Sequence, residues 1–193
     1  MKRHAPATAR NREPIAEVLR RVVEPRDLVL ELASGTGEHA VYFARELDVH
    51  WQPSDRDPDA LASIDAYGAE EPRVRPAVAI DACDDPWAVK QADAVVCINM
   101  VHISPIESSH GLFRGASRVL QPGAPLITYG PYRIDGEHTA PSNVQFEKWL
   151  KSLDERFGVR DVGELEAIAA SFGMRLEERV TMPANNFVLV WRR

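Results

Sequence analysis

Three carboxylates recur at the ends of short apolar runs. Glu31 closes on Leu28-Val29-Leu30, Asp55 follows the run from Val49 to Pro53, and Asp81 follows the run from Val74 to Ile80. Between the first two lies Ala33-Ser34-Gly35-Thr36-Gly37, a loop leading from a strand into a helix. Glycines there let the backbone turn sharply and come close to a ligand beside the positive end of the helix. A purely structural tight turn would use them as well. Asp55 stands twenty residues beyond Gly35 (55 − 35 = 20), where an acidic side chain can accept two hydrogen bonds from a ribose. Asp81, with Ala82 beside it, suits the amino edge of an adenine. Taken singly, Asp55 is an ordinary helix-start residue and Asp81 an ordinary turn residue. Acids at the ends of three neighbouring strands together indicate a nucleoside cofactor.

Gly35, Gly37 and Ala40 also fit a dinucleotide fingerprint, so a nicotinamide enzyme competes. Glu31 weighs against it, because it lies just before the loop where a pyrophosphate would settle. Two like charges about 5 Å apart at an effective dielectric of about 20 repel by roughly 3 kcal/mol. The same carboxylate would attract the ammonium of a methionine-like tail. No tyrosine has a lysine four residues later, the pair that a short-chain reductase needs for hydride chemistry. S-adenosylmethionine is therefore the expected cofactor. Arg10 suits its carboxylate, and with Asn11 places the N-terminal segment over it.

Ligands in open α/β sheets bind beyond the carboxyl ends of the strands. Asn99, Met100 and His102 follow the fourth strand, and Tyr129, Tyr132 and Asn143 follow the fifth. Asn99 joins the cofactor set. His102 could take a proton from an acceptor, or could equally be a buried histidine tying down a loop. Tyr132 reads as catalytic or as an aromatic lid. The six histidines and two cysteines show no metal-ligand spacing, so no metal is expected.

The elements that would position these residues alternate. Ile15, Val18, Leu19 and Val22 give helical periodicity, with Pro14 in the first turn and Pro25 as the stop, making residues 1–24 an arm and helix. Strands follow at 28–32, 49–53, 74–80, 94–98 and 126–129. Asp57-Pro58 starts one helix, a second runs from near Pro105 to Leu120, and a third carries the stripe Phe146, Trp149, Leu150, Leu153 and Phe157. Asp161 and Glu164 open the last helix. Runs from Met174 to Met182 and from Phe187 to Trp191 are separated by four residues, too few for a crossover helix, and should pair antiparallel. The expected fold is α/β, a mostly parallel sheet with helices on both faces and a C-terminal antiparallel hairpin.

With 193 residues, 45% hydrophobic and 27% charged, the chain reads as one globular domain, 1–193. A net charge of −6 disfavours general nucleic-acid binding, and the basic stretch from Lys2 to Arg12 reads as a solvated arm. No apolar run suits a membrane span or signal peptide, which points to the cytoplasm, where Cys83 and Cys97 would be free thiols. The oligomeric state is open.

Arg10-Asn11-Arg12-Glu13-Pro14-Ile15 and the stretch from Leu30 to His39 resemble the opening of the methyltransferase-like 26 family, long carried as a domain of unknown function. The similarity continues through Trp51 to Asp55, Ile98 to Pro105, Tyr129 to Tyr132, Gly158 to Asp161 and Met182 to Asn186, nearly the whole chain. It implies a Rossmann-like class I methyltransferase fold with seven strands. Of the general acid-x-Gly-x-Gly-x-Gly loop, Glu31, Gly35 and Gly37 match, while Ala33 replaces the first glycine. The resemblance names no acceptor. Two functions stay open: methyl transfer to a small molecule, and a cofactor-binding module without catalysis.

Overall fold

The structure, a computed structural model, describes residues 1–193. A seven-stranded sheet runs β1 (Leu28–Leu32), β2 (His50–Asp55), β3 (Val78–Ala79), β4 (Ala94–Ile98) and β5 (Pro125–Gly130), then β8 (Arg175–Met182) and β9 (Asn186–Arg192). Its spatial order is β3-β2-β1-β4-β5-β9-β8. Only β9 is reversed: it pairs antiparallel with β5 on one side and β8 on the other. The order turns outward in both directions from β1 and β4, so a crevice opens beyond their carboxyl ends. β6 (Arg133–Ile134) and β7 (Glu137–His138) form a separate two-stranded ribbon, which the sequence pattern did not predict because each strand is only two residues long.

Period-two alternation assigns each strand residue to a face. Leu30, Leu32, Val95 and Cys97 pack with α4 (Ile106–Val119) and α6 (Val162–Ser171). Val29, Val96 and Ile98 pack on the other face with α1 (Pro6–Leu19) and α2 (Glu38–Leu47). α3 (Pro58–Gly68) lies against α2, and α5 (Pro141–Leu153) beside β7. Both fully buried strand tryptophans have their N–H satisfied, Trp51 on Glu31 (2.9 Å) and Trp191 on Thr128 Oγ1 (3.1 Å).

Asp57 caps α3 by accepting from Asp59 N–H (3.0 Å), and Asp161 caps α6 by accepting from Gly163 N–H (2.9 Å), as their sequence contexts predict. Two boundaries differ. α1 begins at Pro6, so Pro14 sits inside it rather than in its first turn, and the buried Thr8 and Asn11 hold the extra turns against the body. The third strand is reduced to Val78–Ala79 with an isolated bridge at Val74, because Pro72 and Pro76 interrupt its ladder donors.

Candidate cofactor and acceptor site

A cleft of about 230 Å³ opens at the carboxyl ends of β1, β2, β3 and β4. Ala33, Asp55, Asp81, Ala82 and Asn99 all line it, five of the residues singled out from the sequence. Leu32, Arg56, Ile80, Ile98, Met100, Ile103, Ser104 and Ser108 complete the wall. Arg56 and Ile80 directly follow a strand end, and that position is the signal that could have found them; Ile103, Ser104 and Ser108 carry no such signal.

The glycine loop is held in place by Asp55. Its Oδ2 accepts from Gly35 N–H (2.9 Å) and its Oδ1 from Asp57 N–H (3.0 Å), fixing the carboxylate while leaving each oxygen a second lone pair. Gly35 has φ +59°, and a Cβ there would meet nothing within 4 Å, so the space beside it is free for a ligand. Gly37 differs: at φ +88° its Cβ would lie 2.7 Å from Ile64 Cα, so α3 can approach only a glycine. Ala33 (φ 57°) and Asn99 (φ 64°) are both left-handed at the cleft wall. Asparagine tolerates this, whereas Ala33 in the glycine position costs about 1–2 kcal/mol.

Asp81 Oδ1 accepts from Cys83 N–H (2.9 Å) and Oδ2 from Arg56 Nη1 (3.2 Å). Burial pushes its carboxyl up, but these two donors outweigh it and hold the group below the usual range. Ala82 N–H has no partner in the chain, while its carbonyl accepts from Trp87 Nε1 (3.2 Å). A free donor and a carboxylate side by side match the acceptor and donor edge of an adenine.

Glu31 lies behind the cleft wall, not on it. Its side chain shares the face of Val29, is 1% exposed, and accepts from Trp51 Nε1. Burial pushes its carboxyl up to about 7; hydrogen bonds from Trp51 and Ser34 act the other way, and the Asp55 charge raises it further. The repulsion expected from a permanently ionised Glu31 is therefore weakened, since the group can take a proton instead.

The N-terminal segment is tied to residues that flank the glycine loop. Ala5 N–H and His4 Nδ1 reach the Glu38 carboxylate at the start of α2 (2.8 and 2.7 Å). Arg3 N–H donates to Ser63 Oγ (2.8 Å), which donates to Thr36 O (2.8 Å). Asn11 Oδ1 meets His39 Nε2 at 2.8 Å, so Asn11 joins α1 to α2. Burial pushes His39 down to about 4, the charge of Glu38 opposing. Arg10 is exposed on α1, with its charge toward Tyr129.

His102 and Tyr132 require a correction. A catalytic role would have them face an open acceptor cavity, and they do meet, ring edge to face at 4.8 Å. Both are 0% exposed, however, and neither lines the cleft. His102 Nδ1 accepts from Arg160 N–H (3.3 Å), its N–H donates to Asn99 O (3.1 Å), and its carbonyl accepts from Gly158 N–H (3.1 Å). A Cβ on Gly130 would lie 2.4 Å from its Nε2. The ring thus staples the loop after β4 to the segment at 158–160 and to the end of β5. Burial pushes it down to about 3, with the Arg160 charge adding to the fall, and burial pushes the Tyr132 phenol up. Of the two roles open to His102, this geometry matches the loop-tying one. Asn143 is likewise structural, donating to Thr139 Oγ1 (3.0 Å) and Asn185 O (3.1 Å).

A family model described as a protein of unknown function, DUF938, matches residues 2–193. The chain belongs to the DUF938 family. Solved structures share its fold across almost its whole length. A chain of the complex between the Haloferax volcanii Trm112 methyltransferase activator and a methyltransferase is 16% identical, with a TM-score of 0.78 over 96% of this chain and 91% of that one. An O-methyltransferase family protein from Burkholderia thailandensis is 18% identical, with a TM-score of 0.79 over 97% of this chain and 57% of that one. The mitomycin 7-O-methyltransferase MmcR is 14% identical, with a TM-score of 0.79 over 96% of this chain and 54% of that one. The DUF938 chain thus spans a little over half the length of the two O-methyltransferases. At these identities the likeness is one of fold, the class I methyltransferase fold with its mostly parallel seven-stranded sheet. No group of histidines, cysteines and carboxylates is arranged to hold a metal ion, and no helix is long and apolar enough to cross a membrane.

Proposed function

We propose that this protein is an S-adenosylmethionine-dependent methyltransferase acting on a small molecule, one domain over residues 1–193, and that within its family it stands with the methyltransferase-like 26 group. The observation that carries the reading is Asp55. It is clamped by Gly35 and Asp57 N–H groups at the cleft wall, so its remaining lone pairs are presented to a ribose without further ordering. The cofactor fits the residues present: Asp55 for the ribose, Asp81 and Ala82 N–H for the adenine, Ala33, Gly35 and Asn99 around the linking atoms, and Glu31 behind the amino end. Arg10 and Asn11 belong to the segment closing over the tail.

When bound, S-adenosylmethionine supplies a methyl group on a sulfonium, ready for direct displacement. The chain's own contribution is positioning and exclusion of water. Ile103 and Met100 offer apolar surface, while the arm from Lys2 to Asn11 fastens the loop beneath. A base is not required for such a displacement, which agrees with a His102 that holds a loop and has little affinity for a proton at neutral pH. The test is to incubate the protein with methyl-labelled S-adenosylmethionine and a desalted metabolite extract. Label should move to a small-molecule fraction, and Asp55→Ala should abolish most of the transfer. A protein that binds the cofactor but transfers no label to any fraction would instead be a binding module.

A further inference from the structure

Six buried side-chain polar atoms have no hydrogen-bond partner, and four of them fall in two pairs: His102 Nε2 with Tyr132 OH, and Arg133 Nε with His138 Nδ1. Native folds leave few such atoms, and a local concentration of them marks a place where a ligand or ordered water completes the set. The ribbon accounts for the second pair. It follows β5 directly, so it stands at the carboxyl end of the sheet, and its register sets Arg133 opposite His138 on one face. Tyr132, one residue before, turns to the other face and meets His102.

Arg133 is the informative member. Of the half-buried arginines, Arg73 and Arg192 are ion-paired, Arg114 reaches Asp85 and the Cys83 carbonyl, and Arg160 donates to three backbone carbonyls. Arg133 alone has no side-chain hydrogen bond, ion pair or aromatic partner. Two of the acids nearby are already engaged, while Asp135 and Glu137 in the ribbon are exposed to solvent. Asp161 accepts from Gly163 and Gly136 N–H (2.9 and 2.8 Å), and Glu147 is held by His138 (2.7 Å) and Lys151 (3.7 Å). The Arg133 Nε is buried without an acceptor while the residue as a whole is only partly buried, an arrangement that an arriving anion would complete. Burial also holds neighbouring Arg160 below its ordinary value; Glu164 opposes this and the charge of Arg133 adds to it.

We propose that the methyl acceptor is an anion, and that the β6–β7 ribbon binds its carboxylate or phosphate through Arg133 with His138 alongside. This rests on the reading that the cleft at the same end of the sheet holds S-adenosylmethionine. Nitrogen-15-labelled protein saturated with S-adenosylhomocysteine should be titrated with phosphate and, separately, with benzoate at constant ionic strength, with chloride as control. The His138 ring and Arg133 Nε–H resonances should shift saturably in the millimolar range with one of the two anions and not with chloride. The His138 shift should vanish in Arg133→Gln. Which of the two anions acts distinguishes the sources. In the labelled-methyl assay, products should be retained on an anion exchanger. Arg133→Gln should raise KM by about 10- to 100-fold with cofactor affinity unchanged, and Arg133→Lys should recover part of the loss. A flat titration of wild type, or neutral products formed equally by Arg133→Gln, overturns the anion site. Failure to bind S-adenosylhomocysteine would sink the cofactor reading instead, and the anion titration can still be read on the free protein.

Discussion

Gly35 N–H donates to Asp55 Oδ2 across 2.9 Å, joining the loop after β1 to the last residue of β2. One carboxylate therefore sets the loop and faces the cleft at the same time. Asp55→Ala removes both functions. Cofactor affinity should fall by about 10- to 100-fold, with about 1–3 kcal/mol of stability lost because two backbone donors lose their partner. Asp55→Asn keeps one acceptor oxygen and should lie between. Calorimetry and denaturant melts on both variants separate the two losses; full affinity in a folded Asp55→Ala protein would move the ribose contact elsewhere.

The arm divides into two parts with different jobs. Residues Met1 to His4 lie outside α1, and their ties run to Asp57, Ser63 and Glu38, around the glycine loop. Their deletion should weaken cofactor binding several-fold with little change in Tm. Deletion through Arg12 also removes the first turns of α1 and the Asn11–His39 hydrogen bond, and should lower Tm substantially. Equal Tm values for the two truncations would contradict this division.

His102 should behave as a bracing residue. Replacing it with Ala leaves Arg160 N–H without its acceptor and a void against Gly130, costing about 1–3 kcal/mol. Turnover of the folded fraction should change by less than about tenfold, below the range for a lost general base. Its pH signature is distinct. The folded pKa near 3 lies below the unfolded value, so the unfolded chain binds the proton first and stability falls as pH drops below the ordinary histidine range toward about 3. His39, near 4, adds in the same direction. Glu31 opposes them at the upper end of that range, since its raised pKa lets the folded state bind a proton first. The loss of stability on acidification should be shallower in His102→Asn than in wild type.

Glu31 gives the cofactor a pH dependence of its own. A carboxyl titrating near 7 becomes an anion as pH rises past neutrality, so affinity for the ammonium of S-adenosylmethionine should rise between about pH 6 and 8. Glu31→Gln should bind more weakly at the upper end and lose the slope. A wild-type affinity flat across this range would place the ammonium away from Glu31.

The alternation of apolar runs and helix starts made the sheet legible before any coordinates. Asp55, Asp81 and Asn99 could be placed at its open end because they directly follow strands, and all three line the cleft. What the pattern did not reveal was depth. Glu31 falls on the strand position facing Trp51, and nothing in its neighbours tells a wall residue from one behind the wall. His102 lies in a loop, where exposure is the default expectation, and is buried only because the distant 158–160 segment folds over it. Arg133 gave no signal at all, since its meaning depends on its Nε being buried without a partner.

The central claim is that this cleft selects S-adenosylmethionine over a dinucleotide, and titration calorimetry tests it most directly. S-adenosylmethionine and S-adenosylhomocysteine should each bind one per chain, with Asp55→Ala weakening both, while NAD and NADP give no binding heat. NAD or NADP binding more tightly than S-adenosylmethionine would contradict the account.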